Sequence, residues 1–344
     1  MTDPGRHDPH HGAVLRSADP GLIDQVRRLC ALGGLELTVV PPGSGAPVGS
    51  IHLDDVTVPV EPRWSEVVTT GRVVELAAAG HGGADALHLP ADAESLLDLL
   101  SQAAAPVRAA VIGVIGASGG LGVSALAAVL ARLVVGTGSA TALVDLDPAG
   151  GGLDVLLGVE HDAGPRWADV LTQHGGFPPD RLTSSLPVWH SVRVLSGDVR
   201  GGVDGATPVA LAAVTALARA RDVVVLDLPR LLLAPGVDPG WLRLCGDVVL
   251  LAGCDVRSAA AATTAAATLA ATGTPAGLVV RGPAPGSLQP ADIAEACELP
   301  LITVMRAERA FAAGVERGMS PGDQPRGPLR AAGRSVLRHV GLLS

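Results

Sequence analysis

The sequence predicts an α/β protein of two domains, and three observations carry that prediction. Short apolar runs, each closed by Asp, Gly or Pro, alternate with helical segments along the chain. A glycine-rich turn between Val111 and Ala125 joins one such run to the apolar helix that starts near Ser124. The length, 344 residues, suits two cores better than one. Strands apolar on both faces need helices on both sides, so mostly parallel, doubly wound sheets are expected.

Residues 1–12, with Asp3, Arg6, His7, Asp8, His10 and His11, read as a disordered polar tail without an apolar signal core. The first domain is expected over 13–105, with strands at 13–16, 36–40, 50–53, 72–77 and 86–89. Helices are expected at 20–31 and 91–102, and residues 103–107 read as a linker. The second domain is expected over 108–344, with strands at 111–116, 141–146, 192–195, 222–227, 247–252, 277–280 and 301–305. Residues 328–343 form a basic amphipathic helix in this reading: Leu329, Ala332, Val336, Val340 and Leu343 on one face, Arg330, Arg334 and Arg338 on the next. Either that helix packs on its own domain with a solvated basic stripe, or it lies on an anionic membrane.

Composition removes several functions. The net charge is −9, and the 25 basic residues are all arginines; the chain has neither lysine nor tyrosine. Residues 1–110 carry 7 arginines against 14 acids, whereas 306–344 carry 7 against 3, which disfavours a nucleic-acid partner outside the C-terminal end. Cys30, Cys245, Cys254 and Cys297 lack Cys-x-x-Cys spacing and fit reduced thiols better than disulfides or zinc. No apolar run reaches the ~18 residues of a membrane span. A cytoplasmic location is the expectation, with peripheral membrane contact open through the last helix.

The glycine turn is built like a phosphate cradle, in which curled backbone N–H groups and a helix N-terminus converge on one anion. Gly119, Gly120, Leu121, Gly122, Val123, Ser124 and Ala125 are the expected phosphate-binding residues. As a P-loop the stretch departs in one place: Val123 stands where the lysine belongs. As a dinucleotide fingerprint it resembles the opening of the short-chain dehydrogenases, but a chain without tyrosine or lysine lacks their catalytic pair, so no NAD(P) chemistry is expected. A third reading is a tight strand-to-helix turn that binds nothing. Asp227 ends Val223-Val-Val-Leu-Asp227 in the Walker B pattern that holds the Mg²⁺ water shell. Ser124 is the hydroxyl ligand for that ion, Asp145 joins Asp227 as the second acid of the metal site, and Asp147 is the candidate to orient an attacking water. Arg230 is the nearest compensating cation in sequence.

These residues resemble the MinD/ParA branch of P-loop ATPases. Its deviant loop, Lys-Gly-Gly-x-Gly-Lys-[Ser/Thr], corresponds to Ser118-Gly-Gly-Leu-Gly-Val-Ser124, with Ser118 and Val123 in place of the two lysines. Leu143-Val-Asp-Leu-Asp-Pro148 is similar to switch I and Asp227-Leu-Pro229 to switch II. Arg281 falls where many members read adenine with an asparagine. In the first domain, Asp54 or Asp55, Leu89-Pro90 and Asp19 resemble the acidic site of response-regulator receivers without its lysine, which implies a pseudo-receiver, that is, a flavodoxin-like domain that docks to partners. The alternative is that Asp54 and Asp55 simply end a strand in solvent.

A receiver-like domain ahead of a MinD/ParA domain is the layout of the CpaE/TadZ localisation proteins. Gly277 to Gly286, Asp145 to Gly152 and the lysine-free loop most resemble the actinobacterial septum site-determining (Ssd) family within that group. The resemblance implies ATP or ADP with Mg²⁺, a homodimer, and cell-division or pilus/secretion partners. It also implies weak or absent ATP turnover. A nucleotide-independent scaffold and a slow ATPase using arginine for lysine remain the alternatives.

Overall fold

The computed structural model describes residues 12–47, 49–57, 59, 62–67, 72–78, 86–104, 109–148, 151–173, 177–234, 236–282, 286–308 and 311–343. The chain forms two units: Met1–Val107 with Gly175–Pro178 and Thr207–Ala212, and the remainder. The tail residues 1–11, linker residues 105–107, and Ala149 and Gly150 lie outside the described residues.

The first unit is a five-stranded parallel sheet of β1 (Gly12–Arg16), β2 (Glu36–Val40), β3 (Ile51–Asp55), β4 (Arg72–Ala78) and β5 (Leu87–Leu89). Its order β2-β1-β3-β4-β5 is that of flavodoxin-like sheets. Its helices are α1 (Pro20–Gly33), α2 (Trp64–Val67) and α3 (Ala93–Ala104). Alternation along β1 sorts the layers. Ala13 and Leu15 join Leu22, Val26 and Cys30 of α1 and Leu96 and Leu100 of α3, while Val14 packs with Trp64 of α2 in a separate cluster. The sequence pattern predicts no element at α2, whose four residues are too few to show a helical period. Gly12, read as the end of the tail, opens β1, and residues 103–104, read as linker, complete α3.

The second unit holds eight strands: β6 (Ala110–Gly116), β7 (Thr141–Asp145), β8 (Val188–Trp189), β9 (Val192–Leu195), β10 (Val223–Asp227), β11 (Asp247–Gly253), β12 (Ala276–Arg281) and β13 (Leu301–Met305). Their order is β13-β12-β11-β6-β10-β7-β9-β8, parallel except for the short β8–β9 pair, in which β8 is a strand that the sequence pattern does not predict. The helices are α4 (Val123–Val135), α5 (Leu153–Leu157), α6 (Trp167–Leu171), α7 (Pro179–Ser185), α8 (Pro208–Ala220), α9 (Gly240–Arg243), α10 (Val256–Thr272), α11 (Pro290–Cys297), α12 (Phe311–Val315) and α13 (Pro328–His339).

Helix α4 is apolar almost all round because it is covered on more than one side. Its residues 125–131, 133 and 134 are buried, and they share one core with β6, β7, β10 and α13. That packing accounts for the apolar face of the last helix, as the first of its two readings expects. Leu329, Ala332, Val336 and Leu337 of α13 are buried in this core, and a Cβ on Gly333 would stand 2.9 Å from Leu133 Cδ1 and 3.0 Å from Val129 Cγ1. The apolar face is therefore spent inside the unit, and Arg334 and Arg338 remain as an exposed basic stripe. Periodicity shows that a helix has an apolar face but not what covers it. No helix among the described residues is long and apolar enough to cross a membrane.

Candidate functional site

Strand β6 ends at Gly116, and the chain turns through 117–122 into α4. Two glycines of the turn hold backbone that L side chains rarely adopt, Gly120 at φ 75° and Gly122 at φ 89°, the latter being the N-cap position of α4. Gly116 is required sterically, since a Cβ there would meet Val123 Cγ2 at 2.9 Å and the Ser118 carbonyl at 3.0 Å. Val123, the first residue of α4, is partly buried against the core. Ser118, Gly122, Val123 and Ser124 are half-buried, Gly119 and Gly120 exposed, Leu121 and Ala125 buried.

Asp145 and Asp227 end neighbouring strands in direct register, one beside the other. Both are 4% exposed. The Ser124 hydroxyl donates to Asp227, which brings the start of α4 to the end of β10. Burial, with lesser repulsion from Asp145 and Asp147, pushes the Asp227 carboxyl up to about 7 despite that hydrogen bond. Asp145 is also raised by burial but is better satisfied. It accepts from the Leu153 amide at 2.9 Å, the Asp147 amide at 3.1 Å and the Ser196 hydroxyl at 3.0 Å. Its main-chain carbonyl accepts from Trp167 Nε1 at 2.6 Å. Asp145 thus ties the segment after β7 to the sheet, a role that sequence spacing does not disclose.

The donor set fits a Mg²⁺-bound nucleotide in one specific way. Among the described residues no group of three or more His, Cys, Asp or Glu could hold a metal unaided. A buried carboxylate poorly compensated for its charge, paired with one hydroxyl beside a glycine cradle, suits an ion that arrives with phosphate oxygens. Ser124 and Asp227 are the residues that would hold it; both Asp145 carboxylate oxygens are already engaged.

Arg281, the last residue of β12, also reaches this site. Its Nη1 donates to the Gly120 carbonyl at 2.7 Å and would stand 3.7 Å from a Cβ on Gly122. Arg230 is exposed at the start of a 3₁₀ turn, Arg230–Leu233, that follows β10.

The acids of the first unit have other work. Asp54 is 1% exposed and receives a two-pronged bond from Arg16, Nε to Oδ1 at 2.8 Å and Nη2 to Oδ2 at 2.6 Å, with the Trp64 amide at 3.2 Å. Asp55 accepts from the Ser17 hydroxyl at 2.6 Å and from the Thr57 amide at 3.0 Å. Asp19 is the N-cap of α1, accepting from the Gly21 amide at 2.8 Å. The two strand-end acids are buried, which corrects the reading that they end a strand in solvent.

No family model matches the chain. Solved structures share its fold across about two thirds of its length. A chain of the MinC:MinD cell division protein complex from Aquifex aeolicus is 97% covered, with 69% of this chain, at TM-score 0.57 and 20% identity. A ParA family ATPase from Chlorobium tepidum is 98% covered, with 67% of this chain, at TM-score 0.54 and 16% identity. The McdA–ATP complex from Cyanothece is 98% covered, with 70% of this chain, at TM-score 0.52 and 14% identity. The fold is that of the MinD/ParA P-loop ATPases. In sequence, an uncharacterized protein of Mycobacterium tuberculosis is 36% identical over 342 residues, covering 93% of each chain. With that identity along nearly its full length, the chain belongs to the same family as the mycobacterial protein.

Proposed function

We propose that this protein is a MinD/ParA-type spatial regulator of septum placement, whose assembly state responds to nucleotide bound at 117–125. The observation that carries the reading is the Ser124–Asp227 pair, a hydroxyl and a buried, charge-poor carboxylate at the mouth of a glycine cradle. A bound nucleotide with Mg²⁺ would supply the positive charge that Asp227 lacks. In this reading the backbone N–H groups of the loop orient the phosphates, Ser124 and Asp227 hold the ion, and Asp147 positions water.

Turnover is slow or absent, because Ser118 and Val123 replace the two charged side chains that the deviant loop resemblance calls for. Binding and hydrolysis are thereby separated: the cradle, the hydroxyl, the acid and any cation outside the loop that touches the phosphates serve binding, while ammonium groups within the loop at the γ-phosphate serve the chemical step. The first unit acts as a pseudo-receiver docking module, supported by its 2-1-3-4-5 sheet order and by an Asp54 whose two oxygens are already held by Arg16.

MgATP is expected to convert the purified protein from monomer to homodimer in light scattering, with phosphate release at background. A fluorescent fusion is expected to gather at division septa, and the Asp227→Ala variant to stay monomeric and diffuse. A fusion that gathers instead at a pilus or secretion apparatus would transfer the reading to that machinery. A wild-type protein with one oligomeric state at every nucleotide concentration would contradict the switch.

A further inference from the structure

We infer that Arg281 is the phosphate-binding cation of this cradle, reaching it from β12 in place of the lysines absent from the loop. This rests on the nucleotide reading above and deepens it. The site is short of positive charge. Asp145 and Asp227 stand side by side at the ends of neighbouring strands, both 4% exposed. The positive end of α4 amounts to roughly half an elementary charge. Mg²⁺ held by Ser124 and Asp227 would offset the charges of Asp145 and Asp227, which leaves the charge of the phosphates to the helix end alone. A cation is needed, and the chain has no lysine to give.

Arg281 is placed to provide it. It closes β12, which pairs with β11, and β11 pairs with β6, so its side chain spans the strand ends to the turn that follows β6. Its Nη1 is anchored on the Gly120 carbonyl at 2.7 Å and passes over Gly122. An arginine has five N–H donors in a planar fork, and one of them is engaged with Gly120. The rest of the fork matches two oxygens of a phosphate, as an ammonium in the loop would not. Nothing in the spacing of the motif discloses this contact, because 161 residues separate its partners.

Isothermal titration tests the assignment, with MgATP, MgADP and magnesium pyrophosphate against the full-length wild type, Arg281→Ala and Arg281→Lys. Arg281→Ala is expected to weaken all three ligands at least tenfold, and Arg281→Lys to fall between it and wild type. Affinities in Arg281→Ala equal to or tighter than wild type would overturn the assignment and leave the nucleotide site standing. A loss for the two nucleotides with pyrophosphate unchanged would make Arg281 a base-reading residue, which also overturns it. A wild type that binds none of the three would overturn the site itself, and the Arg281 assignment with it. Circular dichroism of both variants controls for folding.

Discussion

Asp54→Ala is expected to destabilise the first unit by about 3–5 kcal/mol, the cost of leaving one member of a buried ion pair without its partner. Arg16 is 4% exposed, so its charge cannot turn to water once the carboxylate is gone. What remains to it is the Pro62 carbonyl at 3.3 Å and the face of the Trp64 ring, 4.8 Å from the guanidinium carbon. The double variant Arg16→Met with Asp54→Ala removes both charges and is expected to recover most of the loss. Urea denaturation of the three proteins measures this. A loss below about 1 kcal/mol in the single variant would show that the pair is not a structural tie.

The second large effect has the opposite sign. Asp227→Asn is expected to stabilise the ligand-free protein, and to do so only above the ordinary carboxylate range. In the folded chain the carboxyl is held at about 7 against a reference of 3.8. The folded state therefore binds this proton more tightly than the unfolded state does. Its contribution is intact below about 3.8, declines as pH rises, and is fully lost above about 7. At 1.36 kcal/mol per pH unit the difference is roughly 4 kcal/mol. Asparagine keeps a hydrogen-bond acceptor for Ser124 and has no charge to bury. Thermal unfolding should thus show equal midpoints for wild type and variant at about pH 4, and a variant higher by roughly 10 °C at about pH 8. A constant difference across that range would mean that Asp227 is not charge-strained.

The same two acids show how far the sequence can be read. Asp227 is legible because an apolar strand closing on an acid is a local pattern, and its partner Ser124 sits at a fixed place in the glycine turn. Most strands of both sheets are legible for the same reason, and so is helix α4. Asp54 is visible as an acid at a strand end, but its pairing with Arg16 depends on β1 lying beside β3, which sequence spacing does not reveal. Asp145 reads as a metal-site acid, whereas its hydrogen bonds from Leu153, Asp147 and Ser196 are long-range or loop contacts that the pattern does not show. Arg281 stands out in the sequence by its departure from an adenine-reading asparagine, whereas its contact is with the loop. In α13 the amphipathic pattern is plain, but its covering partner α4 is not. Local patterns disclose elements and acids, and long-range pairing decides what those acids do.

Titration of the full-length protein with ATP and Mg²⁺, beside Asp227→Ala, tests most directly whether the lysine-free cradle binds nucleotide through Ser124 and Asp227. Saturable, magnesium-dependent heat in the wild type that disappears in Asp227→Ala is the predicted result. Wild-type and variant proteins that both give no heat, and no thermal protection at millimolar ATP, would contradict nucleotide binding and leave the P-loop fold as a scaffold.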